Sequence, residues 1–416
     1  MPVCISRRGS DRATAYNISS KIIRRRDRLF IGWLNAPDVK GGPVEIRLGI
    51  CHGDSGRLLD SISLGQGVDN HCGPALILDH NERFHTLIGS HHGPFLYRWS
   101  DTPEAEDTWS APEPVGASPS YPALAADGAG TLHLAYRHKG ERWQLHYTRK
   151  RQGRPWEAPT VIAESPVPGY NHFMHGLSMG PTGRLHLTFQ FHYSDTENAM
   201  DGKGRAAGYV SSDDGGDTWL HEDQSVALPL TTKTLQPFVS CLDNPDGSIR
   251  IAPHTVDERD RPWLFCAVED RGLLWRREPS GWISTDLKDA LPKLDLSIGK
   301  ATAISSDPDG RIHLLVATDP AARAKGWYDP ALELFHLVFN GDGTPAAKTQ
   351  ITPTDPRQAR WLPAIEHHDW LRPGLVGKGG HWCLYTAGLN AGLMNRQDYD
   401  DGLRNDVFLT RLEALT

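Results

Sequence analysis

The chain has 416 residues with 38% hydrophobic content, a net charge of −7 and a pI near 6.3. That is enough apolar material for a large core, while the scattered basic residues exclude a nucleic-acid partner and no apolar run is long enough for a membrane span. Forty-one Gly, 30 Pro and 13 Trp, with little helical periodicity, describe a turn-rich all-β chain.

Taken from the N-terminus, Met1–Ser10 carries no apolar core of signal-peptide length. The six cysteines (4, 51, 72, 241, 266 and 383) form no CxxC pair and read as reduced, mostly buried thiols. Together these set a cytoplasmic expectation; a secreted or periplasmic protein whose signal had been removed would look the same. The basic run Arg24-Arg25-Arg26 reads as a solvated strand end.

From there one unit returns: an apolar strand, a Gly/Asp turn, then a strand of the form small-Leu-His-Leu. Its central apolar residue falls at Leu29, Phe84, Leu132, Leu185, Ile249, Ile312 and Trp382, at intervals of 48 to 70 residues. Seven copies at that spacing predict a seven-bladed β-propeller of four-stranded antiparallel blades. The chain reads as a single domain, 1–416, with blades repeating from about residue 20 to 414 and no linker. A ring leaves no free sheet edge only if a terminal strand closes it, and Val407–Leu412 alternates as such a strand should. His85, His133, His186 and His313 hold one equivalent position in four units, which predicts a packing or ladder role.

The second unit carries Asp69-Asn-His-Cys-Gly-Pro before its first strand and His91-His-Gly-Pro after its second. A turn at His80–Glu82 pairs residues summing to about 162, which sets His71 opposite His91 with Asn70 beside them. Two imidazoles and an amide at one strand mouth suit acid–base chemistry. The same repeat logic brings further groups to that face. Tyr136 leaves the second strand of the third unit, and Tyr193 that of the fourth. His172 and His175 enter the fourth unit's first strand, and Gln144–Arg149 leads out of the third unit. The loops 326–330 and 395–402 offer further substrate contacts.

Ser212-Asp-Asp-Gly-Gly-Asp-Thr-Trp219 fits the S-x-D-x-G-x-T-W "Asp box", a structural turn whose Trp packs under a neighbouring blade. Ser100…Thr108-Trp109 is a degenerate copy. With Asp69–Pro74, Ser90-His-His-Gly-Pro94, Tyr121-Pro-Ala-Leu124, Leu132–Arg137 and His175-Gly-Leu-Ser178, the chain resembles the BNR-repeat family of seven-bladed propellers. That family includes ulvan lyases and related enzymes acting at rhamnose–glucuronate linkages. The resemblance covers the layout of residues 20–410 and is most specific over 69–220.

The resemblance implies a catalytic set of His71, His91, Tyr136 and Arg149, with Arg151 and Arg154 as other registers for the arginine. Asn70, Tyr193, His172 and His175 would bind substrate. It implies an acidic oligo- or polysaccharide as partner and cleavage of a 4-linked uronic acid by β-elimination. Such chemistry needs a group that neutralises the carboxylate, a base for the C5 proton and an acid for the leaving oxygen. It requires no cofactor. Relatives of this kind can hold a structural zinc or calcium ion; His254 and Cys266, near Cys241, are the ligands considered, against the plainer reading of buried thiols. Two other functions fit the fold. A sialidase-like hydrolase would need an Arg-Ile-Pro motif near the first blade, where Lys21–Phe30 has none. A non-catalytic glycan-binding propeller would not need His71, His91 and Tyr136 to converge.

Overall fold

A computed structural model of the chain describes residues 1–39, 42–89, 91, 93–102, 108–194, 196, 198, 201–290, 302–319, 321, 329–355, 358–372, 380–388 and 404–413. The loop 395–402 and most of 326–330 therefore lie outside the described residues.

The described residues form antiparallel sheets and no α-helix. Five sheets follow one another along the chain. They begin at the strands Ala75–Leu78, Pro119–Ala126, His175–Met179, Ile249–Ile251 and Thr302–Ser306. A sixth, eight-stranded sheet joins the two ends of the chain. One half of it orders Ala359–Ile365, Trp382–Gly388, Asn405–Arg411 and Val3–Gly9. The other holds Ile22–Arg25, Arg28–Asn35, Val44–His52 and Leu58–Gly67. A single pair, Gly9 opposite Asn35, links the halves. The strand expected to close the ring does pair on both sides, with Trp382–Gly388 and with Val3–Gly9.

Inner strands of successive sheets touch in turn: Ile22–Arg25 on Ala75–Leu78, then Pro119–Ala126, His175–Met179, Thr255–Val256, Thr302–Ser306 and Ala359–Ile365, while Ile22–Arg25 also meets Trp382–Gly388. They surround a central cavity lined by Lys21, Leu124, Gly176, Pro253, Ala303 and Ala364. Alternation along each strand puts one face into each of two neighbouring inter-sheet cores. Leu132, Leu134 and Tyr136 pack with Ala75, Leu87 and Phe95, whereas Ala135 packs with Leu177 and Leu187.

Three of the four repeat histidines are explained by the turn preceding them; the fourth, His186, instead faces Asp260 of the next unit's turn at 3.3 Å. In Asp127-x-x-x-x-x-His133 the carboxylate Oδ1 accepts the N–H groups of Ala129 (2.9 Å) and Thr131 (2.7 Å), and Oδ2 meets His133 Nε2 at 3.3 Å. His133 Nδ1 then reaches Tyr147 Oη on the next strand at 2.7 Å. Asp79–His85–Tyr97 and Asp307–His313–His336 repeat the arrangement. In the fifth unit Trp263 replaces the histidine and donates Nε1–H to Asp257 Oδ2 at 2.7 Å. Each device closes a hairpin turn by satisfying donors that the turn would otherwise leave unpaired.

Candidate functional site

The site begins with a register. Ala75 lies opposite Leu87 and Leu76 opposite Thr86, the pairing expected from the sequence. It brings the residues flanking that hairpin together. The His71 and His91 rings stack with centroids 4.2 Å apart. Asp69 joins them: Oδ1 accepts from His71 Nδ1 at 3.1 Å and Oδ2 from His91 Nδ1 at 2.6 Å. Burial alone would raise the Asp69 carboxyl, but the hydrogen bonds from His71 and His91 outweigh it and hold it far below the ordinary carboxylate range. Burial drives the His71 imidazole down to about 4, aided by the charge on Arg12 and opposed by Asp69, so it is neutral near pH 7. With Nδ1–H given to Asp69, His71 Nε2 is an acceptor, and Arg12 Nη1 donates to it at 2.8 Å.

Arg12 belongs to a segment that the sequence reading passed over. Residues 10–20 leave the strand Val3–Gly9 and turn in over the cavity, showing no periodicity that marks them. Thr14 anchors this segment on Leu362 O (2.6 Å) and Thr386 Oγ1 (2.8 Å). Asn70 holds it by donating to Asp11 Oδ2 at 2.7 Å, so this expected substrate ligand positions a neighbour. Lys21, buried with its amine lowered to about 7 by that burial, donates to Pro74 O and ties the segment's end to the His71 loop. Tyr16, hydrogen-bonded to Arg12, stacks on His71 at 5.6 Å and meets Tyr121 edge-on at 5.2 Å.

Tyr121 takes the place expected of Tyr136. Its φ is +60°, in the left-handed region that costs a non-glycine residue energy. The strand Pro119–Ala126 has a bulge between Ser120 and Ala123. Pro122 cannot donate to the ladder, and the extra residue re-aims Tyr121 toward His71 (6.1 Å) and His172 (5.3 Å, edge-on). Arg137, fully buried, spans Tyr121 and Trp143 with its guanidinium 4.5 Å from each ring, and donates Nη1–H to Tyr170 Oη at 3.1 Å. Its Nε and Nη2 have no hydrogen-bond partner among the described residues. Burial lifts the Tyr121 hydroxyl well above its usual range; Arg137 offsets part of that.

Two expected catalytic residues lie elsewhere. Tyr136 is turned into the core between sheets because it shares the face of Leu132 and Leu134. Its ring meets Phe95 edge-on, its hydroxyl lies 3.4 Å from His146 Nδ1, and burial pushes it up to about 12. Arg149 pairs across from His133, at the turn end of its strand and so at the opposite end from Arg137. Its guanidinium is taken by Glu157 (2.9 Å), Gly215 O (2.7 Å) and Asp217. Arg151 pairs with the same Glu157, and the Arg154 carbonyl accepts from Lys150.

The remaining expectations divide. His172 is in the site, edge-on to Tyr121. His175 lies fully buried with Nδ1 on Phe173 O, lowered to about 4 by burial, and supports the site from below. Tyr193 ends the strand Leu185–Tyr193, half-buried and paired across to Asn171. His254 Nδ1 bonds Thr188 Oγ1 at 2.8 Å, the Cys266 thiol is buried facing the Ala267 carbonyl, and neither belongs to a group of three close donor atoms among the described residues. Among the described residues, Asp69, His71 and His91 form the one group whose donor atoms lie within 4.8 Å of one another, the spacing of a metal site. The Arg12 guanidinium on His71 and the carboxylate shared by both rings make it a hydrogen-bonded triad instead.

An all-β chain of repeated four-stranded sheets, with imidazole, tyrosine and arginine gathered at one strand mouth, defines the class. A model described as BNR repeat-containing matches residues 53–290, more than half of the chain, and the chain belongs to that family. Among solved structures it is similar to an ulvan lyase, described as a new family of polysaccharide lyase and bound to -[GlcA(1-4)Rha3S]-. The two share 12% identity over 99% of this chain and 96% of that one, with a TM-score of 0.74. Another polysaccharide lyase matches at 13% identity over 99% of both chains, with a TM-score of 0.63. A lectin from Burkholderia pseudomallei matches at 12% identity over 91% of this chain and 94% of its own, with a TM-score of 0.52. At such identities the likeness is one of fold. No curated protein matches the chain.

Proposed function

We propose that the chain is a seven-bladed propeller and a lyase that cleaves a 4-linked uronic acid in an acidic polysaccharide by β-elimination. Dividing the eight-stranded sheet at the Gly9–Asn35 pair gives seven sets, five of four strands, one of five and one of six, in the order described above. The observation that carries the activity is one pair. A neutral imidazole held by Asp69 stands beside a tyrosine that burial keeps protonated. Environments that push two titratable groups apart assign a base and an acid.

Elimination removes the proton on C5 of the uronate and breaks the C4–O bond. The carboxylate must be neutralised first, because the intermediate would otherwise carry a second negative charge. Arg137 presents unpaired N–H groups for this, and Arg12 can turn to the same anion. An anion that engages Arg12 withdraws its charge from His71 and makes His71 a stronger base. On iduronate, where the C5 hydrogen and O4 lie on opposite faces, His71 Nε2 takes the proton and Tyr121 Oη protonates the departing oxygen. On glucuronate they lie on one face: Tyr121 first passes its proton to neutral His71, then as tyrosinate takes the C5 proton and returns it to the departing O4, and His71 gives its proton back to solvent. Asp69 and His91 fix the His71 tautomer. No step uses a metal ion.

The likeness to the ulvan lyase bound to -[GlcA(1-4)Rha3S]- supports this choice of substrate class. Incubation with ulvan should release products with the ultraviolet absorbance of an unsaturated uronate, and with no loss after chelation. Reducing ends appearing without that absorbance would instead support a hydrolase. The three arginines Arg12, Arg137 and Arg250 near the tyrosines favour that second reading, but Asp69, the carboxylate beside His71, is taken by both histidines.

A further inference from the structure

The proposed chemistry leaves one cation unused. Arg250 sits in the strand Ile249–Ile251 that opens the fifth unit's sheet, between the fully buried Ile249 and Ile251. Its backbone is fixed from both sides. Ile251 N donates to Gln190 Oε1 at 2.7 Å, Gln190 Nε2 donates to Ile249 O at 3.3 Å, and the strand pairs with Pro262–Val268. The side chain lies within electrostatic reach of Tyr170 and Tyr16, the same tyrosines that contact Arg137 and His71. Burial disfavours its charge. Yet among the described residues its Nε has no hydrogen-bond partner and no carboxylate pairs with it.

Arg250 is half-buried with its Nε shut off from water, and a guanidinium partly withdrawn from water without an anion is costly. The two carboxylates near this face are engaged: Asp11 by Asn70, Asp69 by both histidines. Arg137 likewise lacks an acidic partner. Two guanidinium groups with no acidic partner among the described residues, one on Tyr170 and the other within its electrostatic reach, exceed what one substrate carboxylate requires.

We propose that Arg250 is a receptor for a second anionic group, carried on the sugar next to the uronate whose carboxylate Arg137 holds. The group is a sulfate ester or a second carboxylate; both match the planar donor fork. The assignment of that sugar rests on the lyase reading, whereas anion binding at Arg250 does not.

The test has two arms. In the first, inorganic sulfate is titrated into the whole protein and followed by tryptophan fluorescence, with Trp143 beside Arg137 as reporter. Saturable binding is expected, weakened at least about tenfold in Arg250→Met and partly restored in Arg250→Lys. Equal binding by wild type and Arg250→Met, or none by wild type, overturns the proposal. Circular dichroism confirms that the variants fold. In the second arm, kcat/KM is compared on sulfated, desulfated and carboxyl-reduced polymer. Arg250→Met should lower the preference for the polymer bearing the second anion, through KM more than kcat. A drop for sulfated over desulfated polymer identifies sulfate; a drop tied to the neighbouring carboxyl identifies carboxylate. Equal losses on all substrates place Arg250 on the uronate carboxylate itself and overturn it. No turnover with any polymer sinks the lyase reading, while the sulfate titration still reports on Arg250.

Discussion

Tyr121 and Tyr136 show how much depends on strand face. Both lie in the third unit and both are buried, but only Tyr121 meets Tyr16, His71 and His172. Its bulge and positive φ break the alternation that a sequence reading relies on, and Pro122 was the local mark of that break. Spacing alone does not separate the two arginines, for a related reason. Arg137 and Arg149 belong to neighbouring strands, and only pairing register shows that they face opposite ends of the sheet. His71 and His91 were legible because a short hairpin fixes their separation by arithmetic. Arg12 was not, since it comes from a segment remote in sequence. Arg137→Lys should lose most turnover, because an ammonium cannot reproduce the planar fork or its packing between Tyr121 and Trp143. With the His71 imidazole near 4, the acid limb of kcat/KM should fall there and not near 6.5. Arg12→Met removes a cation that depresses His71, so the limb should move upward in pH; an unmoved limb would assign it to another group.

At the scale of the element, the recurring device is the Asp-x5-His turn. The histidines were legible as scaffold because they repeat; their carboxylate partners were not singled out, since acidic residues are ordinary in turns. Asp127→Ala would strand the Thr131 N–H and the His133 ring, at a cost of about 1–3 kcal/mol per buried unsatisfied group, while the exposed Ala129 N–H turns to water. Chemical denaturation should show that loss, with little change in turnover. His133→Gln should likewise act on stability. The turn 212–219 is built in the same way. Asp214 accepts from Ser212 and Thr218, and Trp219 packs edge-on against Tyr147 of the preceding sheet at 5.0 Å. Arg149 binds the Gly215 carbonyl of this turn, so Arg149→Ala should loosen the contact between these sheets and leave the chemistry in place.

Across the whole molecule, the repeat was readable because seven copies reinforce one another, and the last strand because its alternation is clean. The place of Val3–Gly9 beside Asn405–Arg411 in the eight-stranded sheet depends on a contact between chain ends that no local pattern encodes. Titration also acts at this scale. Burial lowers His146, His175 and His368 to about 4, and His254 and His336 to about 3. Each binds its proton less readily folded than unfolded, so stability should fall as pH drops below the unfolded value of about 6.5. The turn carboxylates Asp79, Asp127 and Asp307 have folded values below the ordinary one, so their contribution is lost at still lower pH. Melting temperature should therefore decline steadily from pH 7 toward pH 4; a flat profile would mean that these rings gain water or partners in solution.

The central claim is that the reacting hydroxyl belongs to Tyr121, beside His71, in an elimination. It is tested most directly by the rate of unsaturated uronate formation in Tyr121→Phe and Tyr136→Phe, measured side by side. The account predicts a loss of about 10²–10⁴-fold in Tyr121→Phe and near wild-type turnover in Tyr136→Phe. Full activity in Tyr121→Phe, with collapse in a folded Tyr136→Phe, would contradict it.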